Sequence, residues 1–355
     1  QVLRDVAHQL GPRVDEVSAI GCTGHGAGLY ALDARNELVG GRAVASTDQR
    51  ADARASALAH DCGPQLRADV GCQPWPGQPT VIAAELLGAD AVRSGAVRRL
   101  MFAKDYLGFL LTGEIATDAS DASTAGLISV ATGTWSPLAF ATSGIADLSP
   151  QAFGPLLPSG EVIGTLRPSA ATAHGLPAGI PVAMGAIDLL AAMTAIRAQE
   201  RGRAVSVLGT WCVNAVIGPV MEPRPDVATI VHFGPHDQRL YMENSPSSMA
   251  NIAWLAGVLG RPVERCADDE TGARGAAIYA AMSQGMATEP LRAPCDTVEP
   301  DAAQARAHAD FNAAFNELID TMSPVFGHLA GRPPSTPPMP PQALCASAPS
   351  AEVSP

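Results

Sequence analysis

Basic residues are scarce in this chain: 23 Lys and Arg stand against 35 Asp and Glu, which gives a formal net charge of -12. A surface dominated by negative charge repels nucleic-acid phosphates and anionic lipid headgroups, so neither is expected as a partner. No apolar run approaches the roughly 18 residues that a membrane-spanning helix needs, and no segment resembles a secretory leader. We therefore expect a cytoplasmic protein without a membrane partner.

Closely spaced cysteines are also lacking. The seven cysteines are Cys22, Cys62, Cys72, Cys212, Cys266, Cys295 and Cys345. No two of them have the two-residue spacing of a zinc or redox site. An odd, dispersed set is typical of reduced thiols in a chain of this size. We expect neither a structural metal nor a disulfide framework.

Hydrophobic residues make up 47% of the 355 residues, which is ample material for a core. A chain of this length exceeds what one hydrophobic core usually supports, so two domains are expected. The last part, residues 331–355, is rich in Pro, Ser and Ala and is predicted to be disordered.

Asp188 is the most informative single residue. It follows a short apolar run at 181–184 and a glycine, and it begins an apolar stretch predicted to be a buried helix. One interpretation is a helix cap, which stabilises by about 1 kcal/mol. The other is a general base that accepts the proton of a substrate hydroxyl attacking a phosphoryl group. The local sequence leaves both interpretations open.

A predicted strand at 205–208 ends in a turn formed by Gly209 and Thr210. Such a turn can present backbone N–H groups to an anion. Together with Asp188, it suggests a base and a phosphate cradle about twenty residues apart in sequence.

His25 lies among three glycines in residues 24–28, between predicted strands at 17–21 and 29–32. Glycines let the backbone approach a small ligand closely, and the imidazole can donate or accept a hydrogen bond. A glycine-rich hairpin whose histidine is satisfied by a carbonyl is the alternative.

Asp48 belongs to a polar run at 46–51, which can either recognise polyol hydroxyls or cap the helix predicted at 52–59. Trp75 lies in a Pro- and Gly-rich loop and could contact a sugar face or shield a domain edge. A helix is predicted from Ala103 to Leu111, ending at Gly113, and the polar residues 117–123 are predicted to form a loop.

The order of these motifs resembles the FGGY family of carbohydrate kinases. The matching segments, in order, are 24–30, 46–51, 104–107 with 111–114, 118–123, 181–188, 206–210 and 270–277. Each segment alone is weakly specific, but so many in one order form a specific pattern. The resemblance runs from about Val17 to about Gly285.

The resemblance implies an α/β, actin-like ATPase (ribonuclease H-like) fold with two domains closing on a cleft. It places a sugar-binding N-terminal domain at 1–197, a partial C-terminal domain at 198–330, and ATP between the two. It also implies ATP and Mg²⁺ as cofactors and a small ketose or sugar alcohol as substrate, most like that of L-xylulose or erythritol kinases. The oligomeric state is left open, with a homodimer among the alternatives.

For the site, the resemblance assigns Asp188 as the general base. His25 and Asp48 would contact substrate hydroxyls together with Asp188, and Gly209 and Thr210 would lie near the terminal phosphates. Trp75 and Lys104 are expected only as neighbours of the pocket.

Two departures from the family pattern concern the nucleotide. The strand carrying Asp-x-Gly-Thr is not matched, and the Gly-Gly-Gly loop of the adenosine site is missing, since the only adjacent glycines are Gly40 and Gly41. We therefore expect weak ATP binding. Three functions follow in order of preference: a sugar kinase, a sugar-binding remnant without turnover, and a structural or interaction protein.

Overall fold

The computed structural model describes residues 2–198, 204–208, 212–219, 229–233, 238–245, 262–266, 268 and 270–303, with scattered residues from 305 to 321. The helices are α1 (Val2–Leu10), α2 (Asp52–Val70), α3 (Pro79–Leu87), α4 (Ala103–Thr112), α5 (Ala119–Thr124), α6 (Pro137–Ala141), α7 (Pro168–His174), α8 (Asp188–Ala195) and α9 (Thr271–Ser283). Short 3-10 helices lie at Gly11–Glu16, Val39–Gly41, Pro150–Ala152 and Glu289–Leu291.

The strands in the same part of the chain are β1 (Ile20–Gly24), β2 (Tyr30–Leu32), β3 (Arg99–Met101), β4 (Val162–Thr165), β5 (Pro181–Ile187), β6 (Ala204–Leu208), β7 (Cys212–Pro219), β8 (Thr229–His232), β9 (Gln238–Ser245), β10 (Val263–Cys266) and β11 (Cys295–Val298). They form a three-stranded sheet in the order β1-β5-β4, a four-stranded sheet in the order β6-β7-β9-β8, and the two-stranded pairs β2-β3 and β10-β11.

The three-stranded sheet positions the candidate site. Strands β1 and β5 are parallel, and their register pairs Ile20 with Val182 and Gly24 with Ile187. Strand β4 joins β5 in the antiparallel direction. Helix α9 contacts this sheet at Gly21, and helix α4 contacts it at Gly24. Because alternate residues of a strand point to opposite faces, the two helices cover opposite faces of β1.

Helix α9 packs against its neighbours through glycines. A Cβ atom built on Gly21 would lie 1.9 Å from the carbonyl oxygen of Ala276, and one on Gly275 would lie 2.0 Å from the carbonyl oxygen of Ala191 in α8. At these positions backbone meets backbone, so no side chain fits between the elements.

Two large hydrophobic clusters hold the described elements together. The first surrounds α2 and α3, with Phe102, Leu127 and Phe153 among its fully buried members. In the second, α8 packs on the four-stranded sheet. Helix α8 thus shares a core with strands assigned to the second domain by sequence. The boundary near residue 197 stays a prediction.

Three sequence predictions need correction. The helix predicted at 52–59 continues to Val70, with Pro64 inside it. The first strand begins at Ile20, because a 3-10 helix occupies Gly11–Glu16. The polar residues from Ala119 onward are a short buried helix, because a buried lysine compensates their charge.

The cysteine prediction holds in part. Cys22, Cys72, Cys266 and Cys295 are free thiols. Cys62, which is buried in α2, is disulfide-bonded, so the expectation of reduced thiols throughout was wrong at this residue. Over the ranges that the model covers, no helix has both the length and the apolar character to span a bilayer.

Candidate functional site

His25 and Asp188 meet at one edge of the three-stranded sheet. His25 directly follows β1 and Asp188 directly follows β5, and the last residues of these strands, Gly24 and Ile187, are paired in register. Since carboxyl ends of parallel strands share one edge, the pairing places both side chains together. The hydroxyl of Thr23 also donates to the carbonyl oxygen of Ala186 at 2.8 Å, which ties the two strand ends.

Asp188 is the first residue of α8, and the cap position is held by Ile187, whose side chain makes no capping bond. Oδ1 of Asp188 accepts a 2.6 Å hydrogen bond from the amide of Leu189. The carboxylate reaches solvent, yet enough protein surrounds it that desolvation raises the pKa of Asp188, while the Leu189 amide and His25 act in the opposite direction. A carboxylate with a raised pKa is a better proton acceptor.

In the loop that carries His25, the imidazole ring lies close to the backbone of Gly28. A Cβ atom on Gly28 would lie 2.9 Å from Cε1 of His25 and 3.2 Å from the carbonyl oxygen of Val44, and the backbone at Gly28 has φ +81°. The half-buried imidazole places Nδ1 3.4 Å from the carbonyl oxygen of Gly26. Because the histidine ring lies so close to this backbone, only glycine fits at position 28.

A buried charged cluster lies beneath the loop. We define the Lys104 cluster as Lys104, Asp105, Asp118 and Asp121, and all four side chains are almost fully buried. Nζ of Lys104 lies 2.6 Å from Oδ1 of Asp105, 2.8 Å from Oδ1 of Asp118 and 3.6 Å from Oδ2 of Asp121. A lone buried charge would be very costly, and these contacts offset that cost.

In the Lys104 cluster, burial and the neighbouring charges act in opposite directions on the pKa of the lysine and on the pKa of the aspartates. Burial disfavours the ammonium, but the three carboxylates outweigh burial and raise the pKa of Lys104. Burial raises the pKa of Asp105, and it raises the pKa of Asp121 well above its usual range. Three acids around one base therefore favour a protonated carboxyl in the cluster.

Helix α5, which carries Asp121 of the Lys104 cluster, supports both the loop after β1 and the end of β5. Oδ1 of Asp121 accepts a 2.8 Å hydrogen bond from the amide of Ala27, in the loop that carries His25. On the same short helix, Oγ of Ser120 accepts one at 3.2 Å from the amide of Ile187, next to Asp188. Sequence reasoning missed these supporting residues. The run of alternating acids and hydroxyls at 118–123 was the available signal, but it was interpreted as a loop.

Asp48 is engaged by Arg50. Its carboxylate accepts hydrogen bonds from Nε of Arg50 at 2.8 Å and from the Arg50 amide at 2.9 Å, and these contacts lower the pKa of Asp48. Both residues line a cavity of about 310 Å³ that His25 and Asp188 do not line. Within the described residues, Asp48 makes no hydrogen bond to His25 or Asp188.

Other predicted neighbours are placed as follows. Trp75 packs on Gly77, where a Cβ atom would also lie 1.8 Å from the carbonyl oxygen of Ser46. Lys104 is fully buried in its cluster. Gly209 and Thr210 lie outside the described residues. In the part of the chain that the model covers, no group of three or more His, Cys, Asp or Glu side chains could hold a metal ion.

Solved structures share this architecture. A xylulose kinase from Rhodospirillum rubrum superimposes with a TM-score of 0.76 at 19% identity, covering 92% of this chain and 89% of that chain. A ligand-bound xylulose kinase from Lactobacillus acidophilus gives a TM-score of 0.78 at 13% identity, covering 92% and 88%. These similarities confirm the predicted α/β, actin-like ATPase fold.

The family is shown by sequence. The model described as the FGGY family of carbohydrate kinases, N-terminal domain, matches residues 1–195, more than half of the chain. The chain belongs to this family.

Curated relatives are similar but longer. L-xylulose/3-keto-L-gulonate kinase of Escherichia coli (strain K12) is 27% identical over 264 residues, which are 73% of this chain and 52% of that protein. A probable L-xylulose kinase of Pasteurella multocida is 24% identical over 261 residues, 72% and 53% respectively. The chain therefore spans about half the length of the curated relatives it matches.

Proposed function

We propose that this chain is, or is part of, a carbohydrate kinase that transfers the γ-phosphate of ATP to a hydroxyl of a small ketose or sugar alcohol. The observation that carries the proposal is the pairing of His25 and Asp188 at the ends of β1 and β5. Family membership supplies the reaction class, and the L-xylulose kinases among the relatives favour a pentulose.

In the proposed reaction, Asp188 accepts the proton of the substrate hydroxyl as its oxygen attacks phosphorus. Its position at the start of α8 leaves the carboxylate open to a ligand, and desolvation raises its pKa toward the working range of a general base. His25 donates to or accepts from a second hydroxyl and so orients the sugar. Asp48 is proposed as a further hydroxyl contact, which requires its carboxylate to be shared with Arg50.

The phosphate donor and metal are proposed from the family. Gly209 and Thr210 are the residues proposed near the terminal phosphates of ATP. Bound Mg²⁺ would neutralise charge on the phosphates. Among the described residues, no group of three or more His, Cys, Asp or Glu side chains could hold this metal.

The decisive experiment is a coupled kinase assay on the purified chain with Mg-ATP. The panel contains pentuloses, pentitols and tetritols, and thermal shifts are measured for the same compounds. Asp188→Asn is the test variant, and Asp15→Asn, in an exposed carboxylate, is its matched control. Turnover that falls by about 10²-fold or more only in Asp188→Asn supports the proposal. Equal turnover in both variants contradicts the assignment of the base.

The second candidate is a sugar-binding protein without turnover. It is favoured by the sequence, whose only adjacent glycines are Gly40 and Gly41 in a 3-10 turn of the predicted N-terminal domain, so that the Gly-Gly-Gly loop expected from the resemblance is not matched. A thermal shift with a sugar but no phosphate transfer would support this candidate. Micromolar ATP affinity in a calorimetric titration would argue against it.

A further inference from the structure

Two free thiols face each other across the β10-β11 pair. The antiparallel register places Cys266 directly opposite Cys295, and neither is disulfide-bonded. Residues directly opposite in an antiparallel pair have Cα atoms about 4.5–5.5 Å apart, which lies within the range that a disulfide spans.

An ion pair on the other face of the β10-β11 pair stabilises the register of the two strands. Arg265 and Asp296, the neighbouring opposed residues, form an ion pair with Nη2 to Oδ2 at 2.5 Å and Nε to Oδ1 at 3.2 Å. Because side chains alternate between faces, this ion pair leaves both thiols on the opposite face. The backbone pairing and this ion pair together hold Cys266 and Cys295 next to each other on one face.

That face opens on a positively charged cavity of about 320 Å³. Its lining includes Cys295, Arg197, Arg292 and Glu264, so cationic side chains outnumber acidic ones. Nε of Arg292 is buried and has no hydrogen-bond partner among the described residues, although Nη1 of the same residue donates to the carbonyl oxygen of Thr194. An unpaired buried donor beside an exposed thiol fits an anionic ligand.

We propose that Cys266 and Cys295 form a thiol–disulfide exchange site for a low-molecular-weight disulfide that carries carboxylates, which Arg197 and Arg292 bind. The thiolate of Cys295 attacks one sulfur of the ligand, forms a mixed disulfide and releases one thiolate. The thiolate of Cys266 then attacks the Cys295 sulfur and expels the second. The two cysteines lose two electrons and two protons, and the ligand becomes two thiols.

The proposed exchange site lies next to the carboxyl end of α8, whose first residue is Asp188. The amide of Ala293, two residues before Cys295, donates to the carbonyl oxygen of Ala195 at 2.9 Å. A Cys266–Cys295 disulfide would therefore fasten β10 to a segment already anchored on α8. This inference does not depend on the kinase proposal, because its readout is the covalent state of the cysteines.

The test incubates the purified chain with oxidised glutathione at about pH 8.5, since burial and the adjacent Cys266 raise the pKa of Cys295 and slow exchange at lower pH. Free thiols are then alkylated and peptides are mapped by mass spectrometry. We expect a Cys266–Cys295 cross-link in the native sequence and a lasting glutathione adduct on Cys295 in Cys266→Ser. Cys22 and Cys72 are internal controls, because burial raises the pKa of each to about 12.

The anion preference is tested with Arg197→Asn, since Arg197 has a left-handed backbone (φ 60°) that Asn tolerates. Oxidised glutathione should react at least about threefold more slowly with this variant, whereas uncharged bis(2-hydroxyethyl) disulfide should react at the native rate. An equal effect on both disulfides overturns the anionic ligand. A native chain in which Cys266 and Cys295 are never cross-linked overturns the site itself.

Discussion

The amide of Ala27 donates a 2.8 Å hydrogen bond to Oδ1 of Asp121, 94 residues further along the chain. Ala27 is fully buried and has φ 59°, a left-handed conformation that is uncommon for a residue other than glycine. The carboxyl group therefore stabilises a strained turn two residues after His25. A fully buried side chain thus holds the loop that carries His25.

The first prediction concerns this bond. Asp121→Ala should destabilise the fold by about 1–3 kcal/mol, because it leaves the buried Ala27 amide without an acceptor. Asp121→Asn should cost less, because the amide side chain keeps an acceptor oxygen and resembles the neutral acid that the raised pKa of Asp121 favours. Urea denaturation of both variants measures the difference. If both variants lose the same stability, the bond to Ala27 is not what Asp121 contributes.

A second prediction concerns sugar contact by His25. His25→Asn should weaken binding of the best ligand from the sugar panel by roughly tenfold, the effect of losing one hydrogen bond of about 1.4 kcal/mol. Calorimetric titration of the purified chain gives the affinity. His60→Asn is the matched control, because His60 is exposed on α2 and pairs only with Asp61. Equal affinity in the two variants would remove His25 from the pocket.

A third prediction follows from the raised pKa of Asp188. Because the folded state holds this proton more tightly than the unfolded chain does, folding is favoured at low pH and loses stability as pH rises from the ordinary aspartate pKa, about 3.9, through the raised value. Asp188→Asn should therefore melt at a higher temperature than the native chain at pH 7. The difference should shrink to nothing near pH 3. Melting curves across this range check it, and a gap that does not change with pH would contradict the desolvation of Asp188.

The fourth prediction compares two glycines of α9. Gly275→Ala should destabilise the fold by at least about 2 kcal/mol, because the new methyl group would lie 2.0 Å from a backbone carbonyl oxygen of α8. Gly272→Ala is the control in the same helix, since its nearest atom is 3.9 Å away. It should be neutral or stabilising by up to about 1 kcal/mol. Thermal or urea unfolding distinguishes them, and equal losses of stability would mean that the close contact of Gly275 with α8 is not what makes its substitution costly.

Elements with local signals were predicted well. Helix α4 ends where Gly113 takes a left-handed conformation with φ 85°, which glycine adopts at little cost. The start of β1 was predicted three residues early, because the apolar residue Val17 continued the strand pattern while the backbone was still leaving a 3-10 helix. The pattern of apolar residues indicates that a strand is present, but it does not determine the residue at which the strand begins.

The supporting part of the site could not be predicted in this way. A stretch with two aspartates and two serines, from Asp118 to Ser123, has the composition of a solvated loop, and its burial depends on Lys104, which is distant in sequence. The pairing of His25 with Asp188 followed from family resemblance, and the strand register gives it a physical basis. The roles of Asp48, Gly209 and Thr210 stay predictions.

The pairing of Gly24 with Ile187 also decides how the juxtaposition of His25 and Asp188 would be lost on heating or in denaturant. Amide protons in paired strands exchange with solvent only when the sheet opens, which in a core sheet accompanies global unfolding. We expect the paired strand ends that carry His25 and Asp188 to separate in that same cooperative step. Sugar binding would then report the integrity of the whole sheet.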